Sequence, residues 1–392
     1  MNTIAPDLDS SLLRELAGRA REVAQDVVRA SVEREDREAA WPAASMKALA
    51  DAGLMGLLVP TGHGGHGLGM TALAAVSQEI ARESPSTALC FAMHCVGTAV
   101  IAARPTPAQA RDLLEPIARG EHITTLALSE PGSGSQFWLP ATRLARTADG
   151  YAVHGTKSFV TNGSHADSYV VSTVAADGAG AGDGTFSLVV VDGSAAGLCW
   201  QDAWHGLGMR ANSSRTVQLQ DVHVPADRLL GRPGDQLWYV FEIVAPYFLM
   251  AMAGTYLGIA VECVEEARDH LGSRRHAHTG ELLGASPLLA HRLGELWIRM
   301  DAARQLVYTA ARRADAGDPD SLVPVFACKA AASKAAVDIA NEAMTLAGGM
   351  AYRENSKLAR MLRDARASHV MAPTTDQLQV WIGRALLKLP LL

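Results

Sequence analysis

Between Leu12 and Val28 the apolar positions Leu12, Leu16, Ala20, Val23 and Val27 return at steps of three and four residues, with arginines and glutamates between them. That is the period of an amphipathic helix. The same rhythm runs through 45–58, 70–82, 87–103 and 107–119, broken at Trp41-Pro42 and in the glycine-rich segment 62–69. Near His122 the texture changes. The short β-branched or aromatic runs 124–128, 151–154, 158–161, 169–173, 186–191 and 216–224, separated by turn residues, predict strands. Between two of them, 175–184 has the Ala/Gly/Asp composition of a hairpin tip. Beyond Gly234 the helical period resumes through 237–274, 287–316, 321–347, 356–370 and 375–387, long segments with few loops, as in a bundle. The expected organisation is therefore α+β: helices over residues 1–122, a β domain over 123–234 and a helical bundle over 235–392.

A chain of 392 residues, 48% of them hydrophobic, has room for two or three domains at roughly 150 residues each. The net charge of −6 lacks the basic footprint needed to bind a phosphate backbone, so no nucleic-acid partner is expected. Cys90, Cys95, Cys199, Cys263 and Cys328 form no CxxC pair, which argues against disulfides and structural zinc and for a reduced, cytoplasmic compartment. Asp7, Asp9, Glu15, Glu22 and Asp26 stand where a secretory signal needs an apolar core. The most apolar stretch, 87–103, contains His94, Cys95 and Thr98 and falls just short of a spanning length, so it is expected to be a core helix and not a membrane span.

The strand ending at Leu128 runs into Ser129-Glu-Pro-Gly-Ser-Gly-Ser135. Such a turn lets backbone amides and the hydroxyl of Ser129 or Ser135 approach a planar, hydrogen-bonding cofactor without a Cβ in the way; an ordinary polar turn has the same composition. In 155–163 a strand carries Phe159 and Thr161 up to an Asn-Gly turn, able to wall a ring and donate a hydrogen bond to it, or simply to close a hairpin. Gly206-Leu-Gly-Met-Arg210 precedes the last strand. Late in the chain come Ala347-Gly-Gly-Met-Ala-Tyr352 and Arg363-Asp-Ala-Arg366.

These five segments, in this order and in a helix–strand–helix setting, resemble the acyl-CoA dehydrogenase family of flavoproteins over essentially the whole chain. The resemblance implies an N-terminal helical domain, a central β-barrel domain and a C-terminal four-helix bundle. It also implies FAD held between β domain and bundle, across a subunit interface of a homotetramer or homodimer. It places cofactor contacts at Leu128, Ser129, Gly134 and Ser135, and at Phe159 and Thr161 flanking the isoalloxazine ring. Arg275 is implied on the pyrophosphate, Thr345, Gly348 and Gly349 against the ADP part from a neighbouring subunit, and Thr374 and Asp376 at the C-terminal flavin contacts.

The sequence also departs from the family. Dehydrogenation of an acyl thioester needs a carboxylate to take the α proton. The resemblance places that glutamate just before a Gly-Thr pair near the C-terminus, where this chain has Ala372 within Met371-Ala-Pro-Thr374. The position used by a minority of members, on the first bundle helix, holds Phe248, followed by Leu249 where an arginine is usual. Gln136 replaces an aspartate, and Arg274-Arg-His-Ala-His-Thr-Gly280 stands in place of an Arg-x-x-Phe-Gly segment. For acid–base work Glu242 is the leading candidate, ahead of His369 and Asp376, with Arg210 able to orient an anion. His63 and His66 have only the superficial look of a metal pair, and no metal is expected. The expected function is oxidation of an acyl thioester, on CoA or on an acyl carrier protein, in a biosynthetic pathway, with an electron-transfer flavoprotein as partner. A flavin monooxygenase or oxidase of the same fold, and a catalytically silent homologue with a binding role, are the alternatives.

Overall fold

The computed structural model describes residues 10–174 and 186–391, so the hairpin tip expected at 175–184 lies outside the described residues. Helices α1 (Ser11–Val23) and α2 (Arg29–Glu38) join without a break through a π-helical turn, Ala24–Val28. The helix therefore outruns the period seen in the sequence, because α2 buries only Val32 and Glu35 among otherwise polar residues. Then come α3 (Ala43–Asp51), α4 (Met70–Ala81), α5 (Pro85–Ala103) and the short α6 (Pro107–Gln109) and α7 (Glu115–Ala118). Ser84 caps α5 by accepting from the Thr87 amide, and Pro85 occupies its first turn, where the missing N–H costs nothing. The helix is buried from Pro85 to Ile101. Its apolar run serves the protein core.

Strands β1 (Thr124–Ala127), β4 (Ser168–Val174), β5 (Phe186–Asp192) and β8 (Leu229–Leu230) form one sheet in the order β1-β4-β5-β8. Strands β2 (Arg143–Arg146), β3 (Gly150–Val160), β7 (Arg215–Pro225) and β6 (Leu198–Trp200) form the other, in the order β2-β3-β7-β6. The expected barrel is thus two four-stranded sheets enclosing one core. Tyr169, Val171, Val189 and Val191 of the first sheet meet Val153, Val160, Leu219 and Val224 of the second. The alternate residues Leu126, Val170, Leu188 and Val190 face the other way and join the helical core. A sheet covered on both faces is buried at successive positions, as β4 and β5 are, whereas β7, covered on one face, alternates.

Beyond the sheets, α8 (Gln236–Trp238), a π-helical turn Tyr239–Val244 and α9 (Ala245–Ser273) make one continuous rod, followed by α10 (Pro287–Asp315), α11 (Leu322–Ala347), α12 (Lys357–Val370) and α13 (Thr375–Leu386). An ionic network locks the N-terminal helices to the bundle: Arg82 pairs with Glu262 at 3.0 Å and with Glu265, while Lys357 pairs with Glu262 at 2.5 Å and Glu83 at 3.1 Å. Trp138, in the loop after β1, lies 5.8 Å from Phe241 and 5.9 Å from Trp381 between ring centroids. The loop is thereby fixed against both the first and the last bundle helices.

Candidate functional site

Strand β3 changes register twice, between Val153 and Gly155 and between Lys157 and Val160. The second irregularity puts Phe159 at φ 56°, a left-handed conformation costing a non-glycine residue roughly 1–2 kcal/mol. Bulges re-aim side chains. Here the Phe159 ring is turned out of the sheet, 65% exposed, and meets Trp204 edge-on with centroids 5.9 Å apart. Thr161, two residues on, is buried, its hydroxyl 3.3 Å from that of Ser214 and its carbonyl accepting from the Thr125 hydroxyl.

The 128–135 turn is tied to the same strand. The Ser158 amide donates to the Ser129 carbonyl at 2.8 Å, and the Lys157 ammonium reaches the Leu128 carbonyl, the Ser172 hydroxyl and, at 2.6 Å, Glu130. Glu130 also accepts from the amides of Ala141 and Thr142 and from the Thr142 hydroxyl. Burial pushes the Lys157 amine down to about 8, against the pull of Glu130. Burial raises Glu130 too, but Lys157 and the hydrogen bonds outweigh it and hold the carboxyl below its ordinary range. Gly132 and Gly134 are left-handed, and the amides of Gly132, Gly134 and Ser135 have no backbone acceptor among the described residues. The turn is a fixed cradle with free donors.

A second turn, 206–213, is clamped from below. A side chain on Gly208 would sit 2.3 Å from the Arg363 carbonyl, so only glycine allows the turn to rest on α12. The Met209 amide donates to Asp364 at 2.6 Å, and burial pushes that carboxyl up to about 6. Arg210 donates to the carbonyls of Asp36 and Arg37 at the end of α2, where a cation suits the helix dipole. Arg363 pairs with Asp36 and donates to the Leu207 carbonyl at 3.0 Å.

On the bundle the candidates are spread over several termini. Thr345 donates to the Asn341 carbonyl near the end of α11, where Gly348 (φ 63°) and Gly349 are exposed beside Met350 and Tyr352. Arg275 is exposed and donates to the Gly280 carbonyl within its own hairpin. Thr374 caps α13 by accepting from the Gln377 amide, and Asp376 is exposed in its first turn. None of these shares a hydrogen bond, ion pair or ring contact with Ser129, Phe159 or Thr161 among the described residues. Glu242 is exposed on the π-helical turn, six residues before the half-buried Phe248. Ala372 and Phe248 both pack against the hydrophobic core. Beneath Ala372, Lys329 is fully buried and donates to the carbonyls of Ser368 and Pro373 at 2.9 and 3.0 Å, its amine pushed down to about 7 by burial. His369 leaves Nε2 buried without a partner.

Three family models match in succession: the acyl-CoA dehydrogenase N-terminal domain over residues 11–121, the middle domain over 125–222 and the C-terminal domain over 249–387. The chain belongs to the acyl-CoA dehydrogenase family. It is 29% identical over 377 residues to cyclohex-1-ene-1-carbonyl-CoA dehydrogenase of Syntrophus aciditrophicus, covering 96% of this chain and 87% of that one. The fold superposes on butyryl-CoA dehydrogenase of Megasphaera elsdenii with a TM-score of 0.91 at 24% identity, over 97% and 100% of the two chains. It also superposes on a prolyl acyl carrier protein oxidase with a TM-score of 0.86 at 22% identity, over 97% and 100%.

Acyl-CoA dehydrogenases bind FAD. The side chains and free amides on the β-domain side fit such a group: an outward aromatic on a bulge, a threonine hydroxyl at the strand end, and a glycine turn with unused N–H donors. The sequence reading missed what holds these parts. Lys157 stands in what looks like a polar gap between two short strands, yet β3 is continuous there, Gly155, Thr156 and Lys157 pairing with β7, and Glu130 meets the buried ammonium. Trp138, Trp204 and Lys329 carry no sequence signal beyond residue type, since their partners are distant in the chain.

Proposed function

We propose that this acyl-CoA dehydrogenase family member is a flavin-dependent oxidoreductase that oxidises an acyl thioester between Cα and Cβ. The observation that carries this is the outward Phe159 with Thr161 beside the 128–135 cradle. Bound FAD supplies the two-electron acceptor for hydride from Cβ. Phe159 would wall the ring, Thr161 and the free amides of the cradle would fix its polar edge, and Arg275, Thr345, Gly348, Gly349, Thr374 and Asp376 would meet its remaining parts, some of them from a neighbouring subunit. The proton from Cα needs a base, and the positions of Ala372 and Phe248 supply none. Glu242 is our choice: it is exposed, so its carboxylate is free to accept, and it lies on the same rod as Phe248. Arg210 serves the fold instead of the substrate, because its guanidinium is already held by the end of α2. The thioester is carried by CoA or by a carrier protein; acyl-CoA names among the relatives support the first, and the fold shared with a carrier-protein oxidase suggests the second.

The test is anaerobic mixing of FAD-loaded protein with acyl-CoA and acyl-carrier thioesters of graded length. Bleaching of the visible flavin band by at least one series is expected. No bleaching with any of them would overturn the proposal, and oxygen consumption without need of an electron-transfer flavoprotein would mark an oxidase.

A further inference from the structure

Asn162, the residue after Thr161, is fully buried and, like Phe159, left-handed, at φ 59°. Nearly every polar group it has is used, and by different parts of the molecule. Its amide donates to the Asn212 carbonyl at 3.0 Å, in the clamped 206–213 turn. Its side-chain Nδ2 donates to the Cys90 carbonyl of α5 at 2.9 Å. Its Oδ1 accepts from the indole N–H of Trp41 at 2.9 Å. Its carbonyl accepts from the amides of His165 and Ala166 at 3.0 Å.

Trp41 is the far end of this linkage. It lies in the connection between α2 and α3 and stacks flat on His165, with centroids 4.5 Å apart and planes 3° from parallel. The same corner of the N-terminal region takes the Arg210 and Arg363 guanidiniums, at Asp36 and Arg37. Residues 36–41 therefore touch the end of β3, the 206–213 turn and α12 together. Two left-handed non-glycine residues within four positions persist only where surrounding structure over-determines them. The Trp41–Asn162 hydrogen bond is one part of that surrounding structure, beside the bonds to Asn212 and Cys90.

We propose that Trp41 and Asn162 are positioning residues: through this hydrogen bond the N-terminal helical region sets where Thr161 and Phe159 stand against the flavin. The inference rests on the assignment of Phe159 and Thr161 to the flavin wall. Trp41→Phe keeps an aromatic ring for His165 and removes the indole N–H that donates to Asn162, along with part of the stacked ring area. Asn162→Asp keeps the acceptor for Trp41 and removes the donor to Cys90; Asn162→Ala removes both. In titrations of FAD into protein stripped of cofactor, Trp41→Phe is expected to weaken binding about fivefold to tenfold, the size of one buried hydrogen bond. It is also expected to shift the visible flavin band and the midpoint potential of the bound flavin, together with a fall of a few degrees in the melting temperature of the cofactor-free protein from the buried Asn162 Oδ1 left without a donor. Asn162→Ala should show the same changes, larger, and Asn162→Asp, which sets a buried carboxylate oxygen against the Cys90 carbonyl, should be at least as disruptive. FAD affinity within twofold of the parent, with a superimposable flavin band and potential, would overturn the inference, as would a lowered melting temperature with unchanged flavin properties, since that is a structural role alone. If the parent itself takes up no FAD, the flavin assignment fails instead, an outcome the parent titration reveals before any variant is compared.

Discussion

On the β-domain side, Phe159, Thr161 and the 128–135 turn are held by Lys157–Glu130, by Asn162 and by a clamped turn, with strain at two backbone positions and the amides of Gly132, Gly134 and Ser135 left free among the described residues. On the bundle side, positions 248 and 372 are apolar, with Glu242 on an exposed turn and Lys329 buried against the Ser368 and Pro373 carbonyls. The first wall is rigid, polar and strained; the second is smoother. Holding a planar cofactor demands fixed donors in fixed places, so that wall tolerates little change. Apolar packing at positions 248 and 372 makes no such demand of geometry, and volume-conserving exchanges are tolerated best there.

That contrast can be broken at its strongest point first. Lys157→Met leaves Glu130 largely buried without its cation, and a loss of about 3–5 kcal/mol is expected in chemical denaturation. The double variant Lys157→Met/Glu130→Gln should recover much of it. Unchanged stability in the single variant would show that the wall does not depend on this pair. Next, Asp364 has a folded-state pKa of about 6 against an ordinary 3.8, raised by burial. Its contribution to stability is therefore fully present below pH 4 and lost as pH rises through 6. Relative to Asp364→Asn, which keeps an acceptor for the Met209 amide, the parent should lose on the order of 3 kcal/mol between pH 4 and pH 7. Parallel stability profiles for the two proteins would reject this.

On the opposite side, Glu242→Gln should lower kcat by about 100-fold at neutral pH with FAD content unchanged, the usual size of a lost general base. Full activity would leave His369 and Asp376 as the candidates for the base. The smallest effect sharpens the comparison most. Phe159→Gly relieves the left-handed backbone and should stabilise the cofactor-free protein by up to about 1 kcal/mol while weakening FAD retention. Loss of both stability and FAD would mean that the ring belongs to the core.

Much of this architecture was legible in the sequence because it rests on period. The bundle helices, α4, α5 and the runs of β4 and β5 announce themselves through apolar spacing, and their observed bounds fall within a few residues of those expected. Strands β2, β6 and β8 did not, since they are two to four residues long and β2 carries arginines at both ends. Strand β3 appeared as two pieces because Gly155, Thr156 and Lys157 look like a break. The aromatic and hydroxyl candidates were legible as a motif, but their strain, exposure and supports were not. A left-handed Phe159, or an Asn162 shared by three regions, exists only once distant segments meet.

Among the described residues the first sheet has no solvent face: Leu126, Val170, Leu188 and Val190 belong to the helical core, while their neighbours belong to the core between the sheets. Its strand β1 also pairs in parallel with β4, across a long stretch of intervening chain. The three sequence modules are therefore not interchangeable parts. A middle segment expressed alone would present a wide apolar surface to water and should aggregate unless given its own α5. Exchanging β domains between relatives would succeed only when the helix beneath is exchanged with them, which makes the inherited unit larger than the module.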